Sequence, residues 1–366
     1  MLNQDRLLQL RELMKDRGWD LLLLYGHCWR KDFVRCLVNL NFSGPHAAVI
    51  VTQSGEVSVI VSDPWDYEAA AAALPVPVLL EADFNRGLSR FCSASRASAR
   101  AVAGMELMEA RLVASVRQGC PQAVSATLEL EELRRRKTTP EIALLQKAAE
   151  LADRGYQHFV DTIQPGMKEY ELVAEVEAFL KSNGAEDNFM LIASGGTEVT
   201  GMKPPTERRF QKGDSVTTEL TPQLNGYWGQ ICRTLVLGDP SPEQRLAFSI
   251  FSEAQKAAED LLKPGVNISD VARVQNDVFR KFGYGQYAGP EYTRVRGHGL
   301  GLHFDENPYV LEDVDYVVKE GMVLIAHPNT YLPLSGYMVF GDTLAVTSDG
   351  CRSLCHTARK LFEKGV

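Results

Sequence analysis

Nowhere in the 366 residues does an uninterrupted apolar run approach the ~18 residues that a membrane span needs, and the amino-terminal stretch MLNQDRLLQLRELMKDRGWD has no apolar signal-like centre. No membrane association is expected, and the chain reads as a soluble cytoplasmic protein. Cysteine is scarce: seven residues, an odd number spread over a long chain, exclude a disulfide framework and fit reduced thiols. The cluster Cys351, Cys355 and His356 has no zinc spacing. There is also no excess of positive charge. A formal net charge of −8 disfavours nucleic acid and favours small-molecule chemistry. What is present is ordinary: 45% hydrophobic and 23% charged residues, enough chain for two domains with their own cores.

The first part reads as a small α/β unit. The helix pattern RLLQLRELMKDRG leads into DLLLLYG, and AAVIVTQSGEVSVIVS is two apolar strands joined by a turn. A long helix then opens at Thr138, Thr139 and Pro140, with Ile142, Leu145, Ala148 and Leu151 at helical spacing. These signals place a first domain over 1–125, a linker over 126–139 and a second domain over 140–366.

The second domain contains a repeat. TIQPGMKEYELVAEVEAFLKSNG from Thr162 aligns without a gap on LLKPGVNISDVARVQNDVFRKFG from Leu261, pairing Pro165 with Pro264 and Gly166 with Gly265. The strand KGDSVTTEL likewise lies over EGMVLIAHP, which makes Glu219 and His327 equivalent. Two like halves imply a pseudo-twofold core of curved strands with helices outside, and convergent side chains lining one pocket. A hairpin turning about Leu224 and Asn225 sets Glu219 opposite Gln230, and the matching pair in the second half is His327 and a residue near Gly341. His298, flanked by glycines in GHGLGLHFDENP, is a further candidate. Alone, a glutamate among threonines is usually solvated and a histidine before proline is usually packing; the repeat is what singles them out. The GHGLG run cannot be a dinucleotide loop, because no helix can follow through HFDENP. His303 and Asp305 shape the same loop.

The segments GDSVTTELTPQLNGYWGQICRT, GHGLGLHFDENP, GMVLIAHPNTY and GDTLAVT together resemble the site segments of the pita-bread family of creatinase, Xaa-Pro aminopeptidase, prolidase and methionine aminopeptidase. The resemblance implies an α/β chain: a creatinase-like amino-terminal α/β domain followed by a pita-bread domain of curved antiparallel sheet and outer helices. The family's metallopeptidases hold two metal ions with two aspartates, a histidine and two glutamates. Position by position these become Glu219, Gln230, His298, His327 and Gly341, so that only His298 is kept and both bridging carboxylates are absent. Met202 and Asp305 stand where the peptidases place further histidines.

The expectation is therefore a creatinase-like hydrolase without a metal cofactor, working by histidine acid–base catalysis on a C–N bond of a small polar, amino-acid-like substrate. His298, His327 and Glu219 are its catalytic candidates. Gln230, His303, Asp305, Tyr227, Arg30 and Arg35 are its substrate-binding candidates. Arg30 and Arg35 enter because creatinase-like proteins are homodimers in which an amino-terminal loop, here YGHCWRKDFVRC, approaches the partner's site. One alternative is a single iron or zinc ion held by Glu219, His298 and His327, a two-histidine, one-carboxylate set. Another is a binding protein on the same scaffold.

Overall fold

The computed structural model describes residues 2–94 and 99–365, which form two compact units, residues 2–134 and 135–365. In chain order the first holds α1 (Gln4–Arg17), β1 (Leu21–Gly26), α2 (Asp32–Arg35), β2 (Ala47–Thr52), β3 (Val57–Val61), α3 (Pro64–Ala73), β4 (Val78–Leu80), α4 (Phe84–Ala94), β5 (Arg100–Ala103), α5 (Ala110–Gly119), β6 (Val124–Ser125) and α6 (Thr127–Arg135). Its six strands run in the order β4-β3-β2-β1-β5-β6. Leu21 to Tyr25 are all buried, so both faces of β1 are covered and the strand reads as a continuous apolar run. Asn3 caps α1 by accepting from Arg6 N, and Gly18 ends it in the left-handed region at φ 67°. The stretch expected as a linker, 126–139, instead carries α6. That helix is tied down by buried Leu130 and by Arg134, whose guanidinium meets Asp32 at 2.6 Å with both side chains buried.

The second unit comprises α7 (Thr139–Thr162), α8 (Glu169–Ser182), β7 (Asp187–Gly195), β8 (Ser215–Leu224), β9 (Tyr227–Trp228), β10 (Ile231–Leu237), α9 (Pro242–Leu261), α10 (Ile268–Lys281), β11 (Gly297–Gly299), β12 (Val323–Ala326), β13 (Asn329–Leu332), β14 (Gly336–Val339), β15 (Gly341–Val346), β16 (Cys351–Ser353) and β17 (Phe362–Lys364). The repeat is literal in three dimensions. α8 and α10 begin and end at matching positions, each preceded by a left-handed glycine (Gly166 φ 84°, Gly265 φ 90°) and followed by another (Gly184 φ 90°, Gly283 φ 83°).

The main sheet runs β11-β12-β15-β10-β8-β7, antiparallel between neighbours along that path. Its outer face carries Leu220, Leu324, Leu344 and Val346 against the helices. Its inner face carries Thr217, Glu219, Cys232, Thr234 and Ile325, and is covered by the β13–β14 hairpin: Thr234 Oγ1 donates to Val339 O at 3.1 Å. Alternation along the strands thus separates an apolar core from a row that includes polar groups.

Candidate active site

Strand register assembles the inner-face row. Leu191 on β7 lies opposite Glu219, Glu219 opposite Cys232, and Cys232 opposite Gly341. Ala326 pairs with Asp342, so the next residue, His327, comes level with Gly341. His298 on β11 is opposite Ile325, two residues before His327. The rings of His298 and His327 meet edge to face, 5.2 Å between centroids.

The register differs from the one expected. Asn225 (φ 50°) and Gly226 (φ 84°) are both left-handed, so the turn is a two-residue one centred between them, with Leu224 opposite Tyr227. Cys232 rather than Gln230 therefore faces Glu219. Gln230 lies just ahead of β10, buried, its N–H donating to Thr343 Oγ1 at 3.1 Å and its amide nitrogen lying 3.6 Å from Cys232 Sγ. Cys232 was not among the sequence candidates, and the Asn-Gly turn signal was the feature that could have found it.

Electrostatics follow from burial. Glu219 is 8% exposed and its carboxylate accepts no hydrogen bond among the described residues; burial, aided by the charge of Asp305, pushes it up to about 7. Burial pushes His298 below the usual imidazole value, partly offset by Asp305 and by the Gly299 carbonyl. His298 Nδ1 lies 2.9 Å from Gly299 O, which fixes the proton there and leaves Nε2 as an acceptor. His327 is pushed down to about 3 by burial and by its neighbour His298, and neither of its ring nitrogens has a partner among the described residues. Burial and the nearby Glu219 raise both the Cys232 thiol and the Tyr337 hydroxyl. Met202 and Val199 pack with Cys232, Ile325, Tyr337 and Val339 as an apolar wall.

The other expected residues sort themselves. Asp305 joins the cluster, its Oδ1 buried, without a hydrogen bond among the described residues and 3.7 Å from His298 Nδ1. His303 holds the loop: its Nδ1 is 2.9 Å from Asp305 O and its ring stacks on Phe304. Tyr227 is turned to α7, its hydroxyl donating to Glu141 Oε1 at 3.0 Å. In the first unit, Arg30 Nε pairs with Asp32 at 3.1 Å, and Arg35 Nε donates to Asn39 Oδ1 at 2.8 Å from a buried position. Burial would raise Asp32, but Arg134 and Arg30 outweigh it and hold the carboxyl well below its usual range.

The sequence pattern of Metallopeptidase family M24 matches residues 143–348, more than half of the chain. The chain belongs to metallopeptidase family M24. Among curated M24 relatives, the Xaa-Pro dipeptidase of Pyrococcus furiosus is 34% identical over 235 residues, 64% of this chain and 66% of that protein. The Xaa-Pro dipeptidase of Pyrococcus horikoshii is 33% identical over the same length. In structure, the prolidase from Pyrococcus furiosus superposes with a TM-score of 0.81 at 27% identity, over 95% of this chain and 99% of that one. The X-Pro aminopeptidase from Thermotoga maritima reaches 0.86 at 22% identity, over 98% and 99%, a likeness of fold. The pita-bread architecture implied by the resemblance is thus the observed one, in a family of hydrolases.

Against the M24 ligand pattern, one position is closed by sterics as well as by chemistry. A Cβ on Gly341 would lie 2.4 Å from Ala326 O, 2.6 Å from His327 Cβ and 2.8 Å from His327 Cα, distances that no real side chain adopts. The histidine at 327 leans over the place where the last glutamate would start. Among the described residues, no three His, Cys, Asp or Glu side chains are arranged to hold a metal ion.

Proposed function

We propose that the chain is a metal-independent hydrolase that cleaves a C–N bond of a small polar, amino-acid-like substrate, with His298 as general base and then general acid. The observation that carries this reading is the buried cluster of His298, His327 and Glu219, in which His298 keeps Nε2 free while Nδ1 is anchored to Gly299 O. Two metal dications need bridging carboxylates to offset their repulsion. Here Gln230 offers a neutral amide and Gly341 has no room for any side chain, so the residues present do not fit a dinuclear centre.

The chemistry then rests on protein groups. His298 Nε2 takes a proton from water as the oxygen attacks the carbon of the C–N bond; when that bond breaks, the imidazolium returns the proton to the leaving nitrogen. A histidine held neutral by burial is suited to the first step. His327, held neutral down to about pH 3, stays a hydrogen-bonding partner for substrate or water. Gln230 contributes hydrogen bonding without charge. The names of the Xaa-Pro dipeptidase relatives support an amide as one candidate bond, and guanidino and ureido groups fit the same step.

A screen of guanidino, ureido and amide-bearing amino acids by thermal shift, followed by mass spectrometry of the hits, tests the proposal. His298→Ala should lower turnover ~100- to ~10,000-fold with the fold intact. Hits that return chemically unchanged after long incubation would leave a binding protein instead. The two unpartnered nitrogens of His327 favour one second reading, a single iron or zinc ion taken by Glu219, His298 and His327. Protein purified without chelator is expected to carry well under one equivalent of transition metal. One tightly bound ion per chain, lost in His298→Ala or His327→Ala, would select the second reading.

A further inference from the structure

A cavity of about 240 Å³ lies in the second unit between the end of β7, the loop that follows it and the start of α8. None of His298, His327, Glu219 or Gln230 lines it, and only Val199 is shared with the apolar wall described above. Its floor is made of groups whose hydrogen bonds are already spent. Glu169, 4% exposed, accepts from Ser194 Oγ, from Thr206 N at 2.9 Å and from Thr206 Oγ1 at 2.7 Å. Arg208 Nη1 donates to Ser194 Oγ at 2.9 Å, and both terminal nitrogens of that guanidinium donate to Asp214, at 2.6 and 2.9 Å. The outer part of the cavity is different. Among the described residues the Lys203 ammonium has no hydrogen-bond or ion-pair partner. Glu198 Oε1 accepts from Gly196 N at 3.0 Å, and this bond, with that of its own N–H, holds the carboxyl below its usual value and so ionised at neutral pH. Gly201 adds no side chain to the space.

The charged lining is therefore balanced, with Glu169 and Glu198 against Lys203 and Arg208. A ligand of one sign meets repulsion as well as attraction there, whereas a ligand carrying both signs can set each end against its opposite. The volume falls below the ~300–1,000 Å³ of pockets that take drug-sized molecules, which leaves room for one molecule of amino-acid size. We propose that this cavity is a second binding site, for a free zwitterionic α-amino acid with a small side chain, its carboxylate held by Lys203 and its ammonium by Glu198. The loop around it is pinned on two sides. Ile192 and Lys203 exchange backbone hydrogen bonds of 3.0 Å, and Val199 O accepts from Tyr337 N at 2.8 Å. A Cβ on Gly336 would lie 2.1 Å from Gly196 O, so β14 also packs closely against the loop. An amino acid seated against Val199 and Gly201 thus touches the segment that supplies Val199 and Met202 to the inner-face wall, without entering the inner face.

The experiment is calorimetric titration of the intact protein at pH 7.5 with L-alanine, with L-alaninamide, which lacks the carboxylate, and with N-acetyl-L-alanine, which lacks the ammonium. L-alanine should bind saturably, one molecule per chain, and each blocked compound at least ~10-fold more weakly. Lys203→Met and Glu198→Gln, both at exposed positions, should each weaken L-alanine about 10-fold. Gly201→Leu fills the cavity: a Cβ there meets nothing within 4 Å and φ lies outside the left-handed region, so thermal unfolding should be unchanged while binding is lost. His298→Ala should bind L-alanine as the parent does. The site is overturned if L-alanine does not bind saturably, if either blocked compound binds as tightly, or if Lys203→Met and Gly201→Leu both bind like the parent. Binding lost in His298→Ala but kept in Gly201→Leu would put the amino acid on the inner face and overturn it as well. No outcome is read from turnover, so the site stands or falls separately from the hydrolase reading.

Discussion

At the scale of single residues, Gly341 and His327 are one feature seen from two sides, since the backbone and Cβ of His327 occupy the volume that a side chain at 341 would need. Gly341→Ala should therefore destabilise by about 1–3 kcal/mol, because the obstructing atoms belong to main chain and Cβ rather than to a mobile side-chain end. Gly350→Ala, with nothing within 4 Å, should stay within about 0.5 kcal/mol. Urea unfolding at equal m-value measures both. Equal effects at the two sites would mean that position 341 is open. Burial of ionisable groups gives a second prediction. His327 has its pKa lowered from 6.5 to about 3 in the fold, so between those values the unfolded chain binds more protons and stability rises with pH. Glu219 is raised from 4.5 to about 7, so between those values the folded chain holds the extra proton and stability falls as pH rises. The two oppose each other from pH 4.5 to 6.5. Glu219→Gln removes the second effect, so its stability relative to the parent should climb from pH 4.5 and level off above 7, with a gain of about 3 kcal/mol. Chemical denaturation at pH 5 and pH 8 reads this directly; a gain no larger at pH 8 than at pH 5 would show that Glu219 is not buried as a lone carboxyl.

At the scale of elements, the site is placed by one hairpin and the helix behind it. The Asn225-Gly226 turn fixes the β8–β10 register, and Gly229 lets helix α7 approach so closely that a Cβ there would lie 2.3 Å from Ala148 C and Ala149 N. Gly229→Ala forces main chain against main chain, next to Gln230. It should cost about 3 kcal/mol or prevent folding, and activity and stability should fall together. A well-folded, active Gly229→Ala protein would contradict this packing. This hairpin also marks where the sequence stops being readable. Its existence and its Asn-Gly turn followed from local pattern, and Glu219 was singled out by its repeat partner His327. The register slipped because the turn was centred one residue early, and in an antiparallel ladder that moves the partner two places, from Cys232 to Gln230. The α6 helix escaped for another reason: Thr127–Arg135 carries many charges, and its anchor, Arg134 on Asp32, joins residues far apart in the chain. Nor does a glycine in a strand announce that a histidine from the neighbouring strand lies over it.

At the scale of the whole molecule, the gapless repeat was legible because Pro-Gly breaks and terminal glycines impose left-handed backbone that few other residues adopt, and those marks survive when side chains diverge. What the repeat could not give is assembly, and here the first unit supplies the argument. Residues 27–30 form a tight turn closed by hydrogen bonds of 3.0 and 2.9 Å between His27 and Arg30, and Arg30 is braced by Asp32. At its tip Trp29 is 86% exposed. A rigidly held turn that presents a large aromatic ring loses little conformational entropy when that ring is covered, as the most effective contact residues of interfaces do. The expected partner is a second copy of this chain, consistent with the homodimer inferred from the creatinase-like character of the amino-terminal sequence. Light scattering after size exclusion at micromolar concentration should give twice the chain mass of 40.6 kDa. Trp29→Ala should raise the dimer dissociation constant at least 10-fold, with the thermal transition of each chain little changed. A species of one chain mass at that concentration would leave Trp29 and Arg30 as local surface features and remove any role for this turn in a partner's site.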